Sequence, residues 1–245
     1  MSRARRIAAE AVGTAFLLAA IVGSGIMGER LAGGNVAIAL LANALATGAM
    51  LVTLILAFGP VSGAHFNPAV TLADASQGGL SWHDVPGYLG AQLVGGFAGV
   101  AAAHVMFGEA VLSASRHPRA GGAQVFSEFV ATFGLLCVIW GCARRRPSAM
   151  PFAVGTYITG AYWFTASTSF ANPAVTLARS VSDTFAGIRP QDAPGFVMAQ
   201  LAGAGAATIL SRWLVPPPST DAGADMVFHS PARKPDHEME AEKNQ

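Results

Sequence analysis

Asn67-Pro68-Ala69-Val70-Thr71-Leu72-Ala73 recurs as Asn172-Pro173-Ala174-Val175-Thr176-Leu177-Ala178, and each copy follows an apolar segment after only a short connector. Asparagine before proline is a helix-start signal. The Asn side-chain oxygen caps the helix, and the missing proline N–H costs nothing at the first helical position. A single copy would mark a helix start and no more. Capping uses the amide oxygen, however, so each Asn keeps NH2 donors free. Two copies facing each other would present paired donors beside the positive ends of two helix dipoles. Such a pair binds an oxygen atom and repels a cation. It performs no covalent chemistry. The sequence holds no nucleophile–base constellation, phosphate loop or metal-ligand spacing, and His65 and His104 are isolated. No enzyme, metal or cofactor is expected.

The elements that must carry these donors follow from composition. Of 245 residues, 52% are hydrophobic and only 12% charged, against roughly 25% charged in a soluble domain. The net charge of +1 suggests no nucleic-acid partner. This is the composition of a polytopic protein embedded in a lipid bilayer. Stretches near 7–28, 36–57, 84–107, 125–142, 149–166 and 194–214 are long enough, or nearly so, to cross it as helices. The first lacks a clear cleavage site and is followed by further spans, so it is read as a span and not a signal peptide. Arg3, Arg5 and Arg6, and Arg144, Arg145 and Arg146, flank spans on one side. The positive-inside rule makes that side, with both termini, cytoplasmic. Arg30, Arg116 and Arg119 fall on the other side and weaken the bias without reversing it. Cys137 and Cys142 share span four, point in different directions and read as small apolar residues. Residues 1–215 form the expected transmembrane domain. Residues 216–245, with Pro216-Pro217-Pro218, mixed charges, His229 and His237, read as a disordered cytoplasmic tail.

The recurrence extends past the heptapeptide. Glu10 in span one matches Glu128 in span four, and Ala91-Gln92-Leu93 in span three matches Ala199-Gln200-Leu201 in span six. Each half, about 7–107 and about 125–214, holds three spans. Three is odd, so the second half enters the membrane the other way up, as an inverted 3+3 repeat. From Asn67 to about Ser76, and from Asn172 to about Ser182, there are roughly ten residues, or about 15 Å of helix, half a bilayer. Each copy is read as a half-helix following a re-entrant loop. Irregular backbone at that depth is tolerated only where it is buried or lines a wet cavity.

With paired Asn-Pro-Ala motifs, two matched Glu positions and the lead-in Ser62-Gly63-Ala64-His65-Phe66-Asn67, the chain over about 7–214 resembles the aquaporin and glycerol-facilitator (major intrinsic protein) family. The resemblance implies an all-α integral membrane fold, six tilted transmembrane helices plus two re-entrant half-helices. It implies one pore per protomer, for small neutral solutes, and a homotetramer. It places Asn67 and Asn172 at the pore midplane. It implies a ladder of pore-lining carbonyls from Gly63, Ala64 and His65, and from Ser169, Phe170 and Ala171. Glu10 and Glu128 become anchors of the re-entrant loops; a proton relay is the alternative for these intramembrane carboxylates.

The second motif of that family usually reads Asn-Pro-Ala-Arg, whereas here Val175 holds the Arg position. Counting back from the motifs places the other constriction positions at Thr47, Ser169 and Gly160, or at Tyr162 if the loop carries a two-residue deletion. The ungapped count favours Gly160. The expected selectivity filter is therefore Thr47, Gly160, Ser169 and Val175, wide and without Arg or aromatic. Arg179 follows Val175 by one turn, as a vestibule charge or equally a capping or interface residue; Asp74 is its counterpart in the first half. The Val substitution and the following Thr-Leu-Ala-Arg-Ser resemble the branch associated with bacterial arsenic-resistance operons. That resemblance implies passage of arsenite, As(OH)3, and methylated arsenicals besides glycerol-like solutes and water, in a bacterial inner membrane. A water- or glycerol-selective channel, a coupled secondary transporter and a closed junctional protein are the competing readings.

Overall fold

The computed structural model describes residues 1–214, so the tail expected over 216–245, with His229 and His237, lies outside the described residues. Regular structure among the described residues is helical: α1 (Arg3–Leu31), α2 (Val36–Ser62), α3 (Pro68–Ser76), α4 (Val85–Phe107), α5 (Gly122–Arg145), a 3-10 turn (Pro147–Ala149), α6 (Met150–Phe164), α7 (Pro173–Arg179) and α8 (Ala193–Leu214). Five of these, α1, α2, α4, α5 and α8, are long and apolar enough to cross a membrane. The sixth expected span is shorter. The 15 residues of α6 reach about 22 Å, and the 3-10 turn adds about 6 Å. α6 ends at Phe164, and the backbone of Thr165 turns extended as the chain folds back into the bundle. α3 and α7 are the two half-helices. α7 stops at Arg179, short of the expected Ser182, because the next residues bond a loop: Ser115 N–H donates to Ser180 O (2.9 Å) and Ser113 N–H to Val181 O (3.1 Å).

Small residues set the crossings. The first half packs α4 on α1 and the second packs α8 on α5. A Cβ on Gly95 would overlap the Ala11 carbonyl of α1, and one on Gly203 would lie 2.5 Å from the Phe129 carbonyl of α5. Gly95 and Gly203 occupy equivalent repeat positions, as do Ala11 and Phe129. Helices in lipid gain little from apolar association alone, so close backbone approach carries the contact. The outer surface presents Phe16, Leu45, Leu56, Val94, Val105, Met198 and Ile209, side chains suited to acyl chains. The polar residues are inside: Glu10, Glu128, Gln92, Gln200, Thr14 and Thr132 are fully buried.

Candidate functional site

The centre of the bundle is built by two loops that no helix or sheet can hold. Residues 63–67 and 168–172 enter the left-handed region repeatedly: φ is +91° at Gly63, +52° at Ala64 and +48° at Phe66, and +61° at Thr168, +50° at Ser169 and +48° at Ala171. Non-glycine residues pay for such conformations, so the surroundings must over-determine them. The surroundings here are two carboxylates. Glu10 Oε1 accepts from Ser62 Oγ (2.7 Å) and His65 N–H (3.0 Å), and Oε2 accepts from Phe66 N–H (2.7 Å) and Gln92 Nε2 (2.8 Å). Glu128 Oε1 accepts from Phe170 N–H (2.9 Å), and Oε2 from Ala171 N–H (2.8 Å) and Gln200 Nε2 (2.6 Å). Each Gln also donates to the threonine of its half-helix, Gln92 to Thr71 (2.9 Å) and Gln200 to Thr176 (2.8 Å). Charge-assisted bonds of this kind are about twice as strong as neutral ones. They offset the cost of burying the carboxylate and the strain of the loop together.

The loops then meet. Asn67 Nδ2 donates to Ala171 O (2.8 Å), and Asn172 Nδ2 donates to Phe66 O (2.8 Å). Each Asn Oδ1 caps its own half-helix, from Ala69 N–H (2.9 Å) and from Ala174 N–H (2.9 Å). An amide NH2 carries two protons. One from each Asn fastens the opposite loop, which leaves one for whatever occupies the space beside it.

That space is a cavity of about 60 Å³, counted as the volume open to the centre of a water molecule. One water needs roughly 10–15 Å³ on this measure, so the cavity holds a short file. Asn67, Asn172, Thr47, Ser169, Val175, Ala64, His65, Phe170 and Ala171 all line it, as do Leu17, Ile21, Leu135 and Ile139 on apolar walls. No described residue donates to the carbonyls of Ala64, Ser169 or Phe170.

Three expectations need correction. Gly160 does not line the cavity: it is exposed, with open space where a Cβ would stand. The inward stripe of α6 is Val154, Ile158 and Tyr162, spaced by four. Gly160 sits two residues off that stripe, about 200° round the helix. Tyr162 takes its place, with its OH 3.2 Å from Thr47 Oγ1. Gly63 is buried but ends α2 instead of lining the cavity; its φ is +91° and its N–H returns to Gly59 O (3.0 Å). The wall also contains an arginine. Arg179 lines the cavity and is only 1% exposed. Tyr162 and Arg179 thus join Thr47, Ser169 and Val175 in the lining, so the wall holds an aromatic ring and an Arg that the expected set of four lacked.

Arg179 packs its guanidinium on the Phe170 ring, 3.4 Å from the centroid, and its Nε donates to Ala186 O. Arg119 lies 4.9 Å from the same ring and bonds Gly187 O (2.8 Å) and Ser167 O (3.1 Å). The loop carrying Arg119 is tied down by Arg116, whose N–H and Nε both reach Asp183 (2.8 and 2.7 Å). These bonds hold the Asp183 carboxyl below its usual range. At the opposite end His65 Nδ1 meets Thr71 Oγ1 (3.1 Å) and Nε2 lies 3.4 Å from Asp74. Sequence reasoning gave Gln92 and Gln200 no role beyond marking the repeat, and it missed Arg119. Glutamine at matched positions within two apolar spans was the available signal for the first pair; nothing local marks Arg119.

The family profile described as "MIP: Major intrinsic protein" matches residues 1–161. The chain is 55% identical over 213 residues to "Aquaglyceroporin AqpS" of Rhizobium meliloti (strain 1021), covering 87% of this chain and 91% of that one. It is 34% identical over 140 residues to "Aquaporin NIP6-1" of Arabidopsis thaliana, covering 57% of this chain and 45% of that one. Its fold resembles the crystal structure of the aquaglyceroporin from Plasmodium falciparum, with a TM-score of 0.66 at 21% identity, over 86% of this chain and 95% of that one. These relatives are channels and not enzymes. Five long helices and the shorter α6, two half-helices and cross-bonded Asn-Pro-Ala loops, with these matches, place the chain in the major intrinsic protein (aquaporin) family.

Proposed function

We propose that the protein is a passive channel for small uncharged solutes, water and glycerol-like molecules among them. One observation carries this reading. Two Asn amides fasten opposite loops at the apex of two half-helices and border a cavity lined by both polar and apolar side chains. A hydroxylated solute entering it exchanges hydration for the spare amide protons and the carbonyls of Ala64, Ser169 and Phe170. Its carbon face rests on Leu17, Ile21 and Val175. A cation would meet two positive helix ends and donors where it needs acceptors.

As(OH)3 presents three hydroxyls on a compact centre, as a small polyol does, so the same donors suit it. The 55% identical relative is named an aquaglyceroporin, and Val175 leaves room that an arginine there would fill. Arsenite, and methylated arsenicals of similar size, therefore belong to the proposed range. The proposal includes a homotetramer in a bacterial inner membrane with both termini cytoplasmic, following the arginines at 3–6 and 144–146.

Proteoliposomes holding the full chain provide the test. Water, glycerol, arsenite and methylarsenite entry should exceed that of empty vesicles and ignore imposed Na⁺ or H⁺ gradients. Val175→Arg should exclude the bulkier solutes first. Gradient-dependent uptake would mean a coupled transporter, and absence of all flux a closed protein.

A further inference from the structure

We propose that Arg179 is the solute-orienting donor of this pore and its cation barrier. With Ser169 and the Tyr162–Thr47 hydroxyl pair it forms a station for one small neutral molecule bearing two or more hydroxyls. The inference rests on reading the cavity as a solute channel.

Val175 and Arg179 are four residues apart on α7, hence on one face, and both border the cavity. The side chain at 175 offers no hydrogen bond, whereas the one at 179 offers five N–H donors. Nε is occupied by Ala186 O, and no other described residue accepts from this guanidinium. No described carboxylate lies within ion-pair distance of it. A cation this deeply buried is costly unless its surroundings replace its hydration. The Phe170 ring supplies part of that replacement. The remaining N–H groups belong to a side chain that borders the cavity, where a solute oxygen fits.

A second observation points to the same ligand. Ser169 Oγ is buried, lines the cavity and has no hydrogen-bond partner. Buried hydroxyls are ordinarily bonded, so this one is reserved for what passes. The Tyr162 and Thr47 hydroxyls share a single bond and keep further capacity. Donors and hydroxyls thus share the cavity lining with the apolar Val175 and Ile158. A polyol, or a trihydroxy acid in its neutral form, suits such a mixed lining; a monovalent cation is repelled by the guanidinium.

The pseudo-symmetric position clarifies why the charge matters. Position 74 in the first half holds aspartate, which lies beside His65, so the repeat does not require a cation here. Arg179 is a departure from the repeat and fits a role in selection better than one in the shared framework.

The test uses proteoliposomes of the full chain with Arg179→Gln, Arg179→Lys and Ser169→Ala beside wild type, each checked for monodispersity in detergent. Arg179→Gln should raise proton leak under a pH gradient at least tenfold and lower the glycerol-to-water permeability ratio at least threefold. Arg179→Lys should restore exclusion of protons but not the glycerol ratio. Ser169→Ala should lower the glycerol ratio without leak. Monodisperse Arg179→Gln with wild-type leak and ratio would overturn the proposal while leaving the channel intact. If Arg179→Gln does not fold, a Ser169→Ala ratio equal to wild type together with an Arg179→Lys ratio equal to wild type would overturn it. Wild-type vesicles without any flux would instead reject the channel reading itself.

Discussion

Glu128→Gln is the sharpest perturbation of the framework, because it changes one atom. Glu128 accepts Phe170 N–H, Ala171 N–H and Gln200 Nε2 at 2.9, 2.8 and 2.6 Å, and it is fully buried. Glutamine brings one oxygen and one NH2 to the same place. With the oxygen set where Oε2 stood, Ala171 and Gln200 keep bonds that are now neutral, each weaker by about 1 kcal/mol. The NH2 then confronts Phe170 N–H, a buried donor left without an acceptor, at about 1–3 kcal/mol. Reversing the amide strands two donors and is worse. The total is about 3–5 kcal/mol, on the order of 10 °C in the detergent-solubilised melting temperature. Solute flux should fall with it, since Phe170 and Ala171 position Asn172 and the outer wall. A proton relay at Glu128 makes the opposite forecast, an unchanged melting temperature with only gradient-driven flux lost. Wild-type stability and wild-type glycerol entry in Glu128→Gln would refute the anchoring argument altogether.

Gly160→Ala meets nothing within reach and should leave flux unchanged while gaining about 0.5–1 kcal/mol from helix propensity; altered selectivity would restore Gly160 to the pore. Tyr162→Val should admit solutes larger than glycerol, read as arabitol entry, because it removes the ring that closes the wall against Thr47; unchanged size exclusion would place the constriction elsewhere. Gly95→Leu drives a side chain into the Ala11 carbonyl, and overpacking of this kind costs about 1–3 kcal/mol; undiminished assembly and flux would contradict it. Asp183 is held below its ordinary value of 3.8 by Arg116, so its stabilisation of the 113–119 loop is present above that value and lost as pH falls through the lower folded one. Hydrogen exchange in that loop should be flat from pH 5 to 8 apart from intrinsic chemistry, and Asp183→Asn should loosen it at pH 7.

How far the sequence reached depends on the kind of constraint. Helices, half-helices and inversion were readable because each is a periodic or repeated signal: hydrophobic length, Asn-Pro caps, Glu10 matched by Glu128. The anchor role of both carboxylates came from the family resemblance, and their matched placement in the repeat favoured it over a proton relay. For the wall facing α6 the sequence offered Gly160 or Tyr162, and the preferred Gly160 is the one that the cavity lining lacks. Counting back from Asn172 assumes that the loop between α6 and the motif has a fixed length, and the chain does not respect it. The Val154, Ile158, Tyr162 stripe was a better signal, being a property of α6 itself. Arg119 had no signal at all. It reaches Ser167 and Phe170 from a loop almost fifty residues away, and only tertiary packing brings them together.

The two halves divide their tasks in a way that the pseudo-symmetry itself exposes. Apart from the Ser62 bond to Glu10 and the Arg119 bond to Ser167 O, what holds the loops is duplicated: Glu to two backbone N–H groups, Gln to Glu and Thr, Asn to the opposite carbonyl. Everything that distinguishes the two mouths is not. Asp74 and His65 stand at one end, and Arg179 with Phe170 and Arg119 at the other. A duplicated framework tolerates little change, because each donor is buried and a lost acceptor is not replaced by water. The Val175 side chain carries no such bond: it borders the cavity, and only its backbone N–H reaches Asn172 Oδ1 (3.2 Å), a bond that any residue but proline can make there. Position 175 can therefore vary without altering the bonds that set the loop, whereas Arg179 is tied into the wall by Ala186 O and the Phe170 ring.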